Sequence, residues 1–301
     1  MSNTNGTTNA TVIAQKSLEE LRALLPVLSQ MATDHSDEKA KYGETIIVHE
    51  VAAAEAAAFN KSVGYVPTDR SQVDIPVALN QHVHHTYYVD VTEASTSRVD
   101  LIARYAKSGA YAIGAALVNA LCGLVTAANF TNKSVVALGA GLDGFDRKSL
   151  VRVGTALDTR KVAPFGRFML LNPSYYGSLM SDNAMLTLMM QAGASAAQSG
   201  KVPNLHGFAI SQYSSLPDNS EDLVGFAGTS TALAIATRIP DDPGVNSSNC
   251  SISVATDPET GMSIQVREWY EATLAQFRRS YTLMFGVAKG QGDCLQRITS
   301  K

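Results

Sequence analysis

The sequence predicts an α+β protein built on long extended elements, and three observations predict it. From Val73 to Val91 the odd positions read Val73, Ile75, Val77, Leu79, Gln81, Val83, His85, Tyr87, Val89 and Val91, while the even positions are mostly polar. That is the period of a strand with one apolar face. From about Arg98 to Ala128, Ile102, Tyr105, Ile113, Leu117, Leu121 and Leu124 recur at helical spacing. After that segment short helix-like and strand-like stretches mix, and two strand-like runs close the chain.

Taken in order, residues 1–15 are small and polar and read as a tail. Lys16–Thr33 is amphipathic, with Leu18, Leu21, Leu25 and Leu28 on one face, Ser17 as cap and Pro26 as a kink. A helix this short is unstable alone, so its apolar face requires a partner surface, on this or another subunit. Tyr42–Val51 is a β-branched strand. An alanine-rich bridge with turn residues Gly64, Pro67 and Asp69 follows. Val73–Val91 then forms a strand of up to nineteen residues, about 60 Å at ~3.3 Å per residue. Pro76 interrupts it and marks an edge. A compact domain has little room for such a strand. A projecting hairpin does: Tyr42–Val51 runs out and Val73–Val91 returns.

Thr96 or Ser97 caps the next element, a spine helix of some ~30 residues and ~45 Å. The middle of the chain predicts a helix over Asp146–Asp158, a strand over Arg167–Leu171 and a helix through SYYGSLMSDNAMLTLMMQAG. HGFAISQYSSLP reads as a strand entering a turn, and VGFAGTSTALAIATRI as a further strand region. Asp241–Cys250 reads as a flexible loop. GMSIQVREWYE and SYTLMFGVAKG are strands about the polar link ATLAQFRR.

Composition narrows the function classes. The 301 residues are 45% hydrophobic and 17% charged, enough to bury a substantial core. A net charge of −3 gives no basic excess for sequence-specific nucleic-acid binding. Cys122, Cys250 and Cys294 are widely spaced, with no CxxC pair, against a disulfide framework and fitting a reducing compartment. The N-terminal residues lack the basic and apolar runs of an export signal. The Asn-x-Ser/Thr triplets at Asn5, Asn9, Asn129, Asn132, Asn246 and Asn249 are therefore read as composition. Gly109–Ala128 carries no formal charge and is long enough to span a bilayer. It is mostly Ala and Gly and holds Asn119 and Thr126, so a helix buried against protein is the preferred reading.

Two motifs invite a chemical reading. Gly139, Gly141 and Gly144 spell GxGxxG between an apolar run and a helix, the local setting of a dinucleotide site. The acidic residue that should end a second strand, Asp158, instead falls at the end of the predicted helix. A glycine-rich loop is the plainer reading, with a dinucleotide-binding oxidoreductase as the less favoured alternative. His82, His84 and His85 form the second motif. Strand parity puts His82 and His84 on the polar face and His85 on the apolar one, so the three cannot meet at one ion. His82 and His84 with His49 of the outgoing strand would still lack ligands for tetrahedral zinc. No GxSxG, HExxH or Walker loop is present. Met180, Met185, Met189 and Met190 read as a packing stripe. No catalytic, cofactor or metal residue is assigned. The histidine-bearing strand reads as contact surface, sensitive to pH because histidine titrates near ~6.5.

The order of these elements resembles the major capsid proteins of tailed bacteriophages, the HK97-like fold. SQVDIPVALNQHVHHTYYVD resembles the return strand of that family's extended E-loop, and GRFMLLNPSYYGSL the strand-then-proline passage into its axial-domain helix. HGFAISQYSSLP resembles a later axial-domain strand, and VREWYEATLAQFRRSYTLMFGVAKG the closing strands of the peripheral domain. The resemblance implies an N-terminal arm at 1–38, an E-loop hairpin at 39–92, and a peripheral (P) domain with the spine helix at 93–144. An axial (A) domain at 145–226 and a return to the P domain at 227–301 complete it. It implies a non-enzymatic subunit that self-assembles through pentamers and hexamers into an icosahedral head around double-stranded DNA, held by non-specific contact. The expected location is the virion, after assembly in the host cytoplasm and without a membrane. Portal, scaffolding and decoration proteins are the implied partners. A long scaffold-like N-terminal extension is not apparent, which points to a separate scaffolding protein. Some members crosslink a hairpin lysine to a distant asparagine. Lys39, Lys41 and Lys61 lie in or near the hairpin, but no partner asparagine or catalytic carboxylate is identified, and that chemistry is not carried over. An encapsulin-type nanocompartment shell is the alternative with the same fold.

Overall fold

The computed structural model describes residues 32–51, 59, 61–62, 64–65, 72–90, 101–139, 144–183, 187, 204–241, 250–256 and 261–301. Among these, strands β1 (Ala32–Ala40), β4 (Gln81–Asp90), β9 (Leu233–Pro240), β10 (Cys250–Thr256), β11 (Ser263–Glu271) and β12 (Gln276–Lys289) form a six-stranded sheet. A five-stranded sheet has the order β5 (Lys133–Val135), β13 (Leu295–Thr299), β8 (Leu223–Thr229), β6 (Arg167–Leu171), β7 (Phe208–Gln212). β2 (Thr45–Val51) and β3 (Gln72–Ala78) form a two-stranded ribbon. The helices are α1 (Leu101–Gly123), α2 (Arg147–Thr159) and α3 (Pro173–Ser181).

The largest hydrophobic cluster joins both sheets through α1. Ile113, Leu117, Leu121 and Cys122 meet Tyr281, Leu283 and Phe285 of β12 and Phe168, Leu170 and Phe226 of the second sheet. The opposite face of β6, with Met169 and Leu171, packs on Leu150, Val153 and Leu157 of α2 and on Tyr175 and Leu179 of α3. β6 is therefore apolar on both faces, which is why RFMLL is a run and not an alternation. Its one charge, Arg167, is buried but donates to Asp158 Oδ1 at 2.6 Å and to the carbonyl of Ala163. Buried Arg297 likewise bonds Glu221 at 2.6 Å and the carbonyl of Phe130, as burial of a cation requires.

The helix predicted over Asp146–Asp158 is α2. Asp146 caps it, its Oδ1 accepting from the Ser149 N–H at 2.9 Å. The spine helix ends sooner than predicted, at Gly123 and not Ala128; its described part, α1, is 23 residues, about 35 Å. Side chains take carbonyls at and just beyond that end: the Asn219 amide donates to Cys122 and Val125, and the Asn129 amide to Leu124. Among the described residues no helix is long and apolar enough to cross a membrane. Asn119, within the uncharged run, accepts from Tyr213 at 2.8 Å.

Other expectations are corrected. The helix predicted after Pro173 is interrupted at Asp182, where the backbone is extended; Asn183 and Thr187 are again helical, and the rest of the predicted span lies outside the described residues. Of the stripe methionines Met180 is half-buried, and Met185, Met189 and Met190 lie outside the described side chains. The amphipathic segment Lys16–Thr33 lies outside the described residues except for Ala32 and Thr33, which open β1. The link ATLAQFRR is half strand: the turn is 272–275, and Gln276–Arg279 pair with Glu271–Glu268. Cys250, placed at the end of a loop, begins β10.

Candidate functional site

The strand predicted at Val73–Val91 keeps its parity but serves two sheets. Ile75, Val77, Leu79, Tyr87 and Val89 are buried, and Asp74, Pro76, Ala78, His82, His84, Thr86 and Tyr88 are exposed. The break falls at Leu79–Asn80, not at Pro76, which sits inside β3 opposite Ile47. Before the break the strand pairs with β2, as the hairpin reading expects. After it the strand leaves the hairpin and pairs with β12, from Gln81 opposite Phe285 to Asp90 opposite Gln276. Backbone bonds between Gly43 and Leu79 and between Leu79 and Glu44, with the Tyr42 hydroxyl on the Asn80 carbonyl at 2.6 Å, fix the crossing.

The base of the β2–β3 hairpin does not project freely. Val48, Ile75, Val77 and Leu79 pack on Ala234, Ala236 and Met284 of the six-stranded sheet. A Cβ at Gly286 would collide with the Ala78 carbonyl oxygen, so glycine is what lets the ribbon lie this close. At the base Tyr42 is 68% exposed; beyond β2, Phe59 is 61% and Tyr65 91% exposed, and their rings are 4.9 Å apart between centroids. Aromatic side chains of this size left in water mark a surface that another molecule covers.

The outer part of the six-stranded sheet, β4–β12–β11–β10, has one face packed on α1 and a second, more polar face that is open along β4, at His82, His84, Thr86 and Tyr88, and buried at Gln265, Ser280 and Thr282. On the packed face Tyr87 and Tyr281 stack, Arg279 pairs with Glu268, and Gly109 of α1 comes so close that an added Cβ would lie 2.9 Å from the His85 ring. The second face carries a ladder of polar side chains, exposed on β4 and buried on β12 and β11: His84 Nδ1 with Thr86 Oγ1 at 3.3 Å, Thr86 to Ser280 at 2.9 Å, and Thr282 to Gln265 at 3.1 Å. Tyr88 lies opposite Arg278, and Arg278 opposite Trp269.

The structure disperses the histidines as parity expects. His82 and His84 are on the open face, and His85 is half-buried against α1. His49 sits on β2, in the separate ribbon, with its Nδ1 2.8 Å from Asp74 Oδ1. The set His49, His82 and His84 is thus divided between two sheets. Partial burial, helped by neighbouring His84 and Arg267, lowers the pKa of His82 from its ordinary value.

The glycine motif builds no βαβ unit. β5 and β6, which flank α2 in sequence, are separated in the sheet by β13 and β8. Asp158 is on α2 and engaged with Arg167, and the α2 N terminus is already capped by Asp146. Gly141 lies outside the described residues. Gly144, at φ +136°, lies against the backbone of Ala137–Gly139.

Sequence reading missed β1, β10 and β13. β1 (ATDHSDEKA) has no apolar alternation, yet it pairs in parallel with β9, and Arg238 bridges to Asp34 at 3.0 Å. The arginines buried beside carboxylates gave no local signal, since their partners lie 9 to 204 positions away.

No protein-family model matches the chain, and no curated protein matches it. The structure is similar to that of solved shells. One is a capsid structure of the Cyanophage P-SCSP1u, at 11% identity and a TM-score of 0.58, covering 90% of this chain and 86% of that one. A second is the bacteriophage PhiM1 mature capsid, at 8% identity and a TM-score of 0.57, covering 90% and 85%. A third is a virus-like particle from Pyrococcus furiosus, at 10% identity and a TM-score of 0.53, covering 97% and 98%. The chain has the α+β fold of these shell subunits, the HK97-like capsid fold.

Proposed function

We infer that this chain is a major capsid protein, a structural subunit that assembles through itself into the icosahedral head of a tailed phage around double-stranded DNA. The observation that carries the reading is the shared fold over nine-tenths of the chain with two phage capsid structures. Exposed Phe59 and Tyr65, which follow β2 and precede β3, suit a surface that works by contact. In this reading the six-stranded sheet with α1 is the P domain, the five-stranded sheet with α2 and α3 is the A domain, and the β2–β3 ribbon is the E-loop. The subunit acts by contact and carries no catalysis. Portal and scaffolding proteins are its further partners, and the virion is its location. The encapsulin-type reading shares the shell and differs in its contents. Likeness to the Pyrococcus furiosus particle, at a lower TM-score than the two phage capsids, does not favour it.

The test is assembly. The chain expressed alone or with the proteins encoded beside it should give closed shells of one or a few diameters by electron microscopy. A monodisperse monomer under all of these conditions would remove the reading. Shells that contain DNA separate the phage head from a compartment that contains an enzyme.

A further inference from the structure

We propose that β10 joins two copies of the chain, its outer edge pairing antiparallel with the same edge of a second copy about a two-fold axis at Ser253. Among the described residues β10 pairs with β11 alone, so one side of its backbone has no ladder. A bare strand edge is a template for another strand, and natural proteins guard such edges with charges, prolines, bulges or short length. β10 has none of these. Its seven residues, CSISVAT, carry no charge, proline or glycine, and its register with β11 is unbroken from Cys250 opposite Trp269 to Thr256 opposite Ser263. The contrast within the same sheet is β1, whose edge carries Asp34, Glu38 and Lys39 and a register shift between His35 and Lys39. At the edge of the other sheet β7 is only five residues.

The sequence of β10 is self-complementary in that arrangement. With Ser253 opposite its own copy, Ile252 faces Val254 of the second copy on one side of the sheet, and the pair occurs twice by symmetry. Ser251 faces Ala255 on the other side, and Cys250 faces Thr256. Opposed β-branched residues on one face and small residues on the other are favourable cross-strand neighbours. Val254 is 40% exposed in the single chain, and the pairing covers it. A head-to-tail alternative, β10 on the outer edge of β4 of the next copy, repeats every four strands. At ~4.8 Å per strand that is about 19 Å, no more than the ~19 Å radius of gyration of a compact chain of this length, so the bodies would overlap. A two-fold turns the second copy away and avoids this. The proposal rests on the shell reading in one respect: a closed icosahedral shell has two-fold contacts to fill, and a two-fold contact is self-complementary.

The test uses assembled particles. Cα atoms of directly opposed antiparallel residues lie ~4.5–5.5 Å apart, within the ~4.4–6.8 Å range for a disulfide. Shells of a Ser253→Cys, Cys250→Ser chain, mildly oxidised, should run as covalent dimers on a non-reducing gel, while Cys250→Ser shells stay monomeric. If Ser253→Cys does not assemble, shells mixed from Ser251→Cys and Ala255→Cys chains should give a dimer that neither chain gives alone. In the unmodified chain every second amide between Ser251 and Ala255 should exchange at least tenfold more slowly in the shell than before assembly. Shells that form without either dimer overturn the proposal, with or without slowed exchange, because slowed exchange alone means a different strand lies there. Failure of the unmodified chain to form shells at all overturns the shell reading instead.

Discussion

The two sheets differ in what a single chain completes. In the five-stranded sheet β6 and β13 are buried at every position, with α2 and α3 on one side and the α1 cluster on the other. In the six-stranded sheet burial fades outward: β9 is buried along all but its last residue, the first half of β11 is buried and its second half is not, and β10 is mostly half-buried. The first sheet has the anatomy of a finished domain. The second has a polar face exposed along β4 and, among the described residues, a β10 edge without a ladder. On the proposed shell reading, the first region would hold the subunit together and the second would meet its neighbours.

Mutations should separate these roles, and the largest effect belongs to the finished sheet. Leu170→Ala, in the core between the sheets, should destabilise the unassembled chain by about 2–5 kcal/mol, measured by denaturant unfolding, whereas Tyr88→Ala on the open face should change it by less than about 0.5 kcal/mol and lower assembly yield instead. Equal losses of stability would erase the distinction.

Gly286→Ala comes next. The added methyl group meets the Ala78 carbonyl and should cost about 1–3 kcal/mol while loosening the β2–β3 ribbon. Faster amide exchange in Ile46–Val48 and Ile75–Val77, with Arg167–Leu171 unchanged, is the expected signature. A uniform change over both regions would show that the ribbon and the sheets open as one unit.

Asp146→Ala removes the α2 cap and should cost about 1 kcal/mol. Burial raises the Asp146 pKa, but the Ser149 N–H and hydroxyl hydrogen bonds and nearby Lys148 outweigh it and hold the carboxyl below its ordinary value. A depressed folded pKa means the contribution is full above the unfolded value, ~3.9, and is lost as pH falls through the lower folded value. The difference between Asp146→Ala and the unmodified chain should therefore be constant from pH 7 to 5 and shrink below pH 4.

The smallest effect lies at His82. Its lowered pKa means the unfolded chain binds its proton first as pH falls, so the contribution is full above ~6.5 and declines below it. The group is largely exposed, so the slope should be shallow, and His82→Gln should flatten it in a stability titration of the unassembled chain between pH 7 and 5. In assembled shells the same titration tests whether the open face is a contact, since covering His82 should steepen the slope. An identical slope in both states would count against the open face as contact surface.

Alternation was legible because it is local. The parity of Val73–Val89 survives the passage from one sheet to another, since a strand alternates whichever partner it has. The strand RFMLL and the helix beginning at Asp146 were legible for the same reason. β1 was not, because its place is set by pairing with β9 some 200 positions away and not by an apolar face. β10 was read as loop at Cys250 and unassigned beyond it, because a short uncharged stretch at a sheet margin has too little burial to impose a period. The GxGxxG reading was placed below a plain loop on the position of Asp158, and the physical reason is fuller in three dimensions: the two flanking strands are not neighbours.

By itself, then, the amino-acid sequence determined the element types, the faces of the long strand, the division of His82, His84 and His85, and an element order matching capsid subunits. These follow from side-chain period and backbone chemistry, which act over a few residues. Only the tertiary structure decided that the strand breaks at Leu79–Asn80, that β4 belongs to β12 and not to the hairpin, that glycine at 286 seats the ribbon, and that β10, among the described residues, ends a sheet. Those are properties of which backbones meet, and the partners that decide them lie far apart in the chain.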